Sequence, residues 1–209
     1  MRRLLTLTAL LALGFGSASA AIINEYSSQA DFLTGISSGS YVETFSSIRW
    51  GSSLSYSGNG YSYTASAATD LQSLYGWLQN TWLGEITITF TSGNVTAVGA
   101  DFFGLNLLAQ RAGTTITLNF SDGSTRTIEY SPSSATFTGF TFDTPLTYMT
   151  MSVESYLLAS RWAGLDNLIV GTAAAEEPVS TPEPGAWILL STGMGLLALS
   201  RFTRRRKGA

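Results

Sequence analysis

The chain has 209 residues, 44% of them hydrophobic, with 11 basic and 14 acidic side chains, no histidine and no cysteine. Without imidazole or thiol, Ser-His-Asp and Cys-His nucleophile systems and the commonest zinc sites are excluded, and no disulfide can staple the fold. The basic residues cluster at the two ends, so residues 21–183 hold four arginines against fourteen acidic groups, a net charge of −10. An acidic body of this kind repels nucleic acid and anionic lipid, so nucleic acid is not an expected partner.

Met1-Arg2-Arg3 is a basic start, and Leu4 to Phe15 is an apolar run interrupted only by Thr6, Thr8 and Gly14. Ala18-Ser19-Ala20 supplies the small residues that signal peptidase accepts, so residues 1–20 read as a cleaved signal peptide and the rest as exported. Ser28 is placed to cap a short helix over Gln29 to Leu33 or Thr34, which Gly35 ends. Beyond it the pattern is of period two. Tyr41 to Phe45 and Ser53 to Ser57 alternate, and Gly58-Asn59-Gly60 turns the chain into Tyr61 to Thr64. Residues 65–83 are less regular, and Leu71, Leu74, Trp77, Leu78, Trp82 and Leu83 fit a short helix or a loop packed over one end.

Glu85 to Phe90, Val95 to Phe103, Thr115 to Phe120, Thr125 to Tyr130, Thr136 to Phe142, Leu146 to Val153 and Trp162 to Val170 then read as strands, separated by turns such as Ser92-Gly93-Asn94 and Asp122-Gly123. Eight to ten strands in residues 21–171 predict an all-β protein, an antiparallel jelly-roll-like β-sandwich. About 150 residues suffice for one such core.

From residue 172 the composition turns small, acidic and Pro-containing, and residues 172–181 read as a flexible linker. The last part has three pieces in order: Pro182-Glu183-Pro184, an uncharged run of sixteen residues, and a basic tail of Arg201, Arg204, Arg205, Arg206 and Lys207. A helix of that length rises about 24 Å against a hydrocarbon core of about 30 Å, so it is a short span whose basic end stays on the cytoplasmic side.

Residues 182–207 resemble the PEP-CTERM sorting signal of exported bacterial proteins. The resemblance implies processing by an exosortase at or near Pro182, Glu183 and Pro184, after signal peptidase has acted at the other end. It implies a precursor held in the inner membrane by its C-terminal helix with the ectodomain in the periplasm. The destination it implies is the cell surface or an extracellular matrix, in association with exopolysaccharide or biofilm. Ala30-Asp31-Phe32-Leu33, Glu43-Thr44-Phe45, Val98-Gly99-Ala100-Asp101-Phe102-Phe103 and Gly164-Leu165-Asp166-Asn167-Leu168-Ile169-Val170-Gly171 are similar to phrases in the β-sandwich ectodomains that precede this signal. They also resemble jelly-roll carbohydrate-binding modules, in which acidic groups of the first and last strands hold a structural calcium, and Glu43 and Asp166 occupy comparable positions.

Three chemistries follow for the exported domain. Asp166, in an otherwise apolar strand, is either a calcium ligand together with Glu43 or part of a bulge that faces water. Trp50, Tyr61, Tyr63 and Trp77 are candidate sugar-stacking residues, against the reading that they fill the core. A hydrolase would need a carboxylate pair such as Glu43 with Asp101 or Asp166. With no catalytic motif, the expectation is a noncatalytic protein that needs no cofactor. A carbohydrate-binding module is the alternative, and a glycoside hydrolase a distant one.

Overall fold

The computed structural model describes residues 21–82, 84–133, 137–154 and 161–175. The signal peptide, most of the linker and the sorting segment lie outside them. The elements are β1 (Ile22–Tyr26), α1 (Gln29–Thr34), β2 (Tyr41–Glu43), β3 (Arg49–Gly58), β4 (Tyr61–Ser73), β5 (Leu78–Asn80), β6 (Ile86–Phe90), β7 (Ala97–Leu105), β8 (Arg111–Ala112), β9 (Thr114–Phe120), β10 (Thr125–Tyr130), β11 (Phe137–Phe142), β12 (Tyr148–Val153) and β13 (Trp162–Gly171). Among the described residues no helix is long and apolar enough to cross a membrane.

The fold is all-β and antiparallel. One ladder runs β1-β11-β7-β13-β5-β4-β6-β12-β9-β10, with β2 also on β13, β3 on β4 and β8 on β7. The ladder curls until its two halves face each other. Phe120 of β9, near one end, meets Phe140 and Phe142 of β11, near the other, at ring distances of 5.1 and 5.0 Å. These rings and the fully buried Ile86, Ile88, Val98, Phe102, Ile116, Leu118 and Leu165 form the main core. Each such side chain contributes about 1.5–3 kcal/mol on burial. The two ends of the ladder are tied across the open side by an ion pair, Arg126 of β10 to Glu25 of β1, at 3.3 Å.

The helix forms where Ser28 places it. Ser28 is extended (φ −134°, ψ 143°), and its Oγ accepts the Asp31 N–H at 3.1 Å. Phe32 is the one buried residue of α1, and it seats on Gly99 and Gly139 between the rings of Tyr26 and Phe137. Asn59 and Gly60 both have positive φ (52° and 83°), the turn that joins β3 tightly to β4.

Two sequence expectations need correction. Residues 65–73 continue β4 and residues 78–80 form β5, where a helix or loop was expected. Thirteen strands replace eight to ten because β5 and β8, of two or three residues, are too short to display an alternation, and β1, Ile-Ile-Asn-Glu-Tyr, does not alternate. Short as it is, β5 is the seam of the molecule. It pairs with β13 on one edge and β4 on the other, joining the two halves of the ladder.

Candidate functional site: an aromatic face across the seam

Side chains opposite one another in a ladder point to the same side of the sheet. Across the seam one row reads Trp50, Gln72, Gln79, Gly164 and Phe103, contributed by β3, β4, β5, β13 and β7. The next row reads Arg49, Ser73, Leu78, Leu165 and Phe102, and its members from Ser73 to Phe102 are all buried. The first row lies on the opposite face of the sheet, where Gln79, Gly164 and Phe103 are also buried, Gln72 is half-buried and Trp50 is the exposed member. Strands sit about 4.8 Å apart, which separates Trp50 from Gln79 by about 10 Å. Trp50 is 59% exposed.

Phe103 is buried even so, because Trp77 and Arg111 cover it. The Trp77 ring stands edge-on to Phe103 at 5.8 Å, and the Arg111 guanidinium lies over Phe103 at 4.2 Å and over Trp77 at 5.9 Å. Gly164 makes room, since a Cβ there would come within 2.5 Å of the Phe103 ring. Trp77 Nε1 donates to Gln79 Oε1 at 2.8 Å, which fixes the indole orientation, and Tyr75, also 59% exposed, extends the aromatic surface at 5.4 Å from Trp77.

Asp166 adjoins this surface. It follows Leu165 on β13 as Trp77 precedes Leu78 on β5, and the Arg111 charge reaches it. Asp166 stands opposite Asp101 of β7, after which β13 bulges: Asn167 takes φ 49° and pairing resumes at Ile169. Asn167 N–H donates to Asp166 Oδ1 at 2.6 Å, and Asn167 Nδ2 donates to Asp101 Oδ2 at 2.7 Å. Burial pushes the Asp166 carboxyl above the usual carboxylate range and the Asp101 charge adds to this, while the Asn167 N–H and Arg111 act against it. Among the described residues Asp166 Oδ2 accepts no hydrogen bond, and the Arg111 guanidinium donates none.

The sequence-predicted residues separate accordingly. Trp50 and Trp77 are on the aromatic face. Tyr61 and Tyr63 are corrected to core residues, 8% and 1% exposed, because β4 turns that side of its alternation inward. Tyr61 Oη is within 3.0 Å of Thr172 Oγ1, and Tyr63 stacks on Tyr56 at 5.2 Å.

Glu43 and Asp166 do not converge on one ligand. Glu43 stands opposite Leu168 and so faces the core, whereas Asp166 stands opposite Asp101, which in turn pairs with Phe137 on the face that α1 covers. The Glu43 carboxylate is already engaged, accepting from Tyr41 Oη at 2.5 Å and from the Phe45 N–H at 2.8 Å. Among the described residues no three acidic side chains gather as a cation site. Asp166 stands at a bulge, as one of its two readings expects, but it is half-buried instead of facing water. Sequence inspection missed Arg111, Gln72 and Gln79: Arg111 and Gln72 reach Trp77 and Trp50 only across strands, and Gln79 holds Trp77 from two residues along the chain.

No family model and no curated protein matches the chain. Among solved structures it is similar to a mutant of a family 29 carbohydrate-binding module, at 15% identity and a TM-score of 0.36, over 67% of this chain and 93% of that one. A second family 29 carbohydrate-binding module is similar at 14% identity and a TM-score of 0.36, over 69% of this chain and 97% of that one. A likeness this distant carries no statement about ligand.

Proposed function

We propose that the chain is an exported, noncatalytic, jelly-roll-like domain that binds a glycan on the aromatic face across its seam. The carrying observation is the row itself. An exposed Trp50 lies in register with Gln72 and Gln79, and Trp77 is held by Gln79 beside the exposed Tyr75. Aromatic faces stack on sugar rings, and amide, carboxylate and guanidinium groups at their margins bond to hydroxyls. Trp50 is exposed beside the irregularity of β3 between Gly51 and Ser53, and its grouping with Trp77 and Tyr75 supports a ligand-binding role.

The terminal sequences support delivery. The signal peptide, the Pro182-Glu183-Pro184 triplet and the basic tail fit an exosortase substrate sent to the cell surface or to an exopolysaccharide matrix. Binding matrix glycan and being sorted to the matrix are one role seen from two ends.

The test is affinity electrophoresis and calorimetry of the full-length protein against a panel of soluble polysaccharides. Trp50→Ala should weaken the best binder at least about 10-fold, equivalent to about 1.4 kcal/mol. It should leave unfolding within about 0.5 kcal/mol of the parent, as for a surface position. Unchanged affinity in Trp50→Ala would remove the site.

A further inference from the structure

The aromatic face carries two charged groups of opposite sign whose bonding capacity is unspent, and together they define what kind of glycan it takes. Arg111 lies over Phe103 and reaches over Trp77, and among the described residues its N–H groups have no acceptor. Asp166 commits Oδ1 to the bulge, and among the described residues its Oδ2 has no donor. A donor and an acceptor therefore flank Trp77, which is the arrangement that reads hydroxyl groups around a stacked ring. Asp101, the third charged group, is held by Asn167 on the adjoining rung. The local sum is one positive against two negative charges, inside a region, residues 21–175, with four arginines and eleven acidic residues. Another carboxylate brought here would meet net repulsion at short range.

Resting on the glycan-binding reading above, we infer that the face selects an uncharged polysaccharide over a uronate polymer. Asp166 Oδ2 accepts from one sugar hydroxyl and Arg111 donates to another, while Trp77 supports the ring between them. Trp50, about 10 Å across the strands from Gln79, supports a second ring of the same extended chain.

The experiment titrates the full-length protein with neutral hexose homopolymers and with a polyuronate, each at low and at physiological salt. The expected result is binding of a neutral polymer that is insensitive to salt, with the polyuronate at least about 10-fold weaker and gaining as salt screens the repulsion. Asp166→Asn should weaken the neutral polymer several-fold and strengthen the polyuronate, a reversal that loss of folding cannot produce. Arg111→Gln should weaken the neutral polymer and leave the polyuronate no better than before. Preferred binding of the polyuronate, or an Asp166→Asn protein with both affinities unchanged, overturns the selectivity while leaving a glycan site in place. Binding of neither class overturns the glycan reading and the selectivity with it.

Discussion

Asp166 is a carboxylate that the fold holds against its own stability. Burial and the neighbouring Asp101 raise its pKa, despite Arg111 and the Asn167 N–H. An unfolded aspartate titrates near 3.9, so between that value and the raised one the native state holds the proton more tightly. Stability then falls as pH rises through that window, and at neutral pH the ionised group is a net cost. Asp166→Asn should raise the thermal midpoint at pH 7 by on the order of 1–3 °C, a modest gain because the group is only partly buried. The gain should vanish near pH 3, where both states are protonated. Thermal unfolding followed by circular dichroism decides this, and a lower midpoint at pH 7 would mean that Asp166 supports the bulge by its charge. The acidic interruption of an apolar strand was legible in the sequence. Its partners Asp101 and Arg111 were not, because they lie 65 and 55 positions away and are joined to it only by register.

Among the elements, α1 shows how one side chain docks a short helix. Phe32 occupies a hollow whose floor is Gly99 and Gly139, and a Cβ on Gly139 would come within 2.5 Å of its ring. Gly139→Ala should destabilise by about 1–3 kcal/mol through overpacking. Adding Phe32→Leu should recover part of that loss, because the smaller side chain vacates the clash; urea unfolding of the single and double variants measures the coupling. A single variant as stable as the parent would show that α1 shifts without penalty. The limits of α1 were legible from Ser28 and Gly35, whose cap chemistry is local. The course of residues 65–73 was not. Ala65-Ser66-Ala67-Ala68-Thr69-Asp70 lacks large alternating side chains, and the strand is held there by β3, β5 and β6 on its edges. Likewise the alternation of Tyr61 and Tyr63 showed that they share a face, but a period of two does not say which face is inside.

At the scale of the whole molecule the proposal joins a binding face to an address. If Glu183 is read by the processing enzyme, Glu183→Ala should be exported normally and yet keep its C-terminal residues. Intact-mass measurement of protein recovered from membrane and medium distinguishes the two forms. Equal release and identical mass for parent and variant would remove the sorting role of the Pro182-Glu183-Pro184 triplet.

The strand that leads toward that address is β13, and its position in the ladder has a mechanical consequence. β13 is bonded to β7 along one edge and to β2 and β5 along the other, and the chain leaves it at Gly171. Antiparallel hydrogen bonds lie across the strand direction, so tension applied along β13 from its C-terminal end loads them together in shear instead of peeling them singly. A chain pulled from that end while its aromatic face holds a polymer would bear the strain on a strand bonded along both edges.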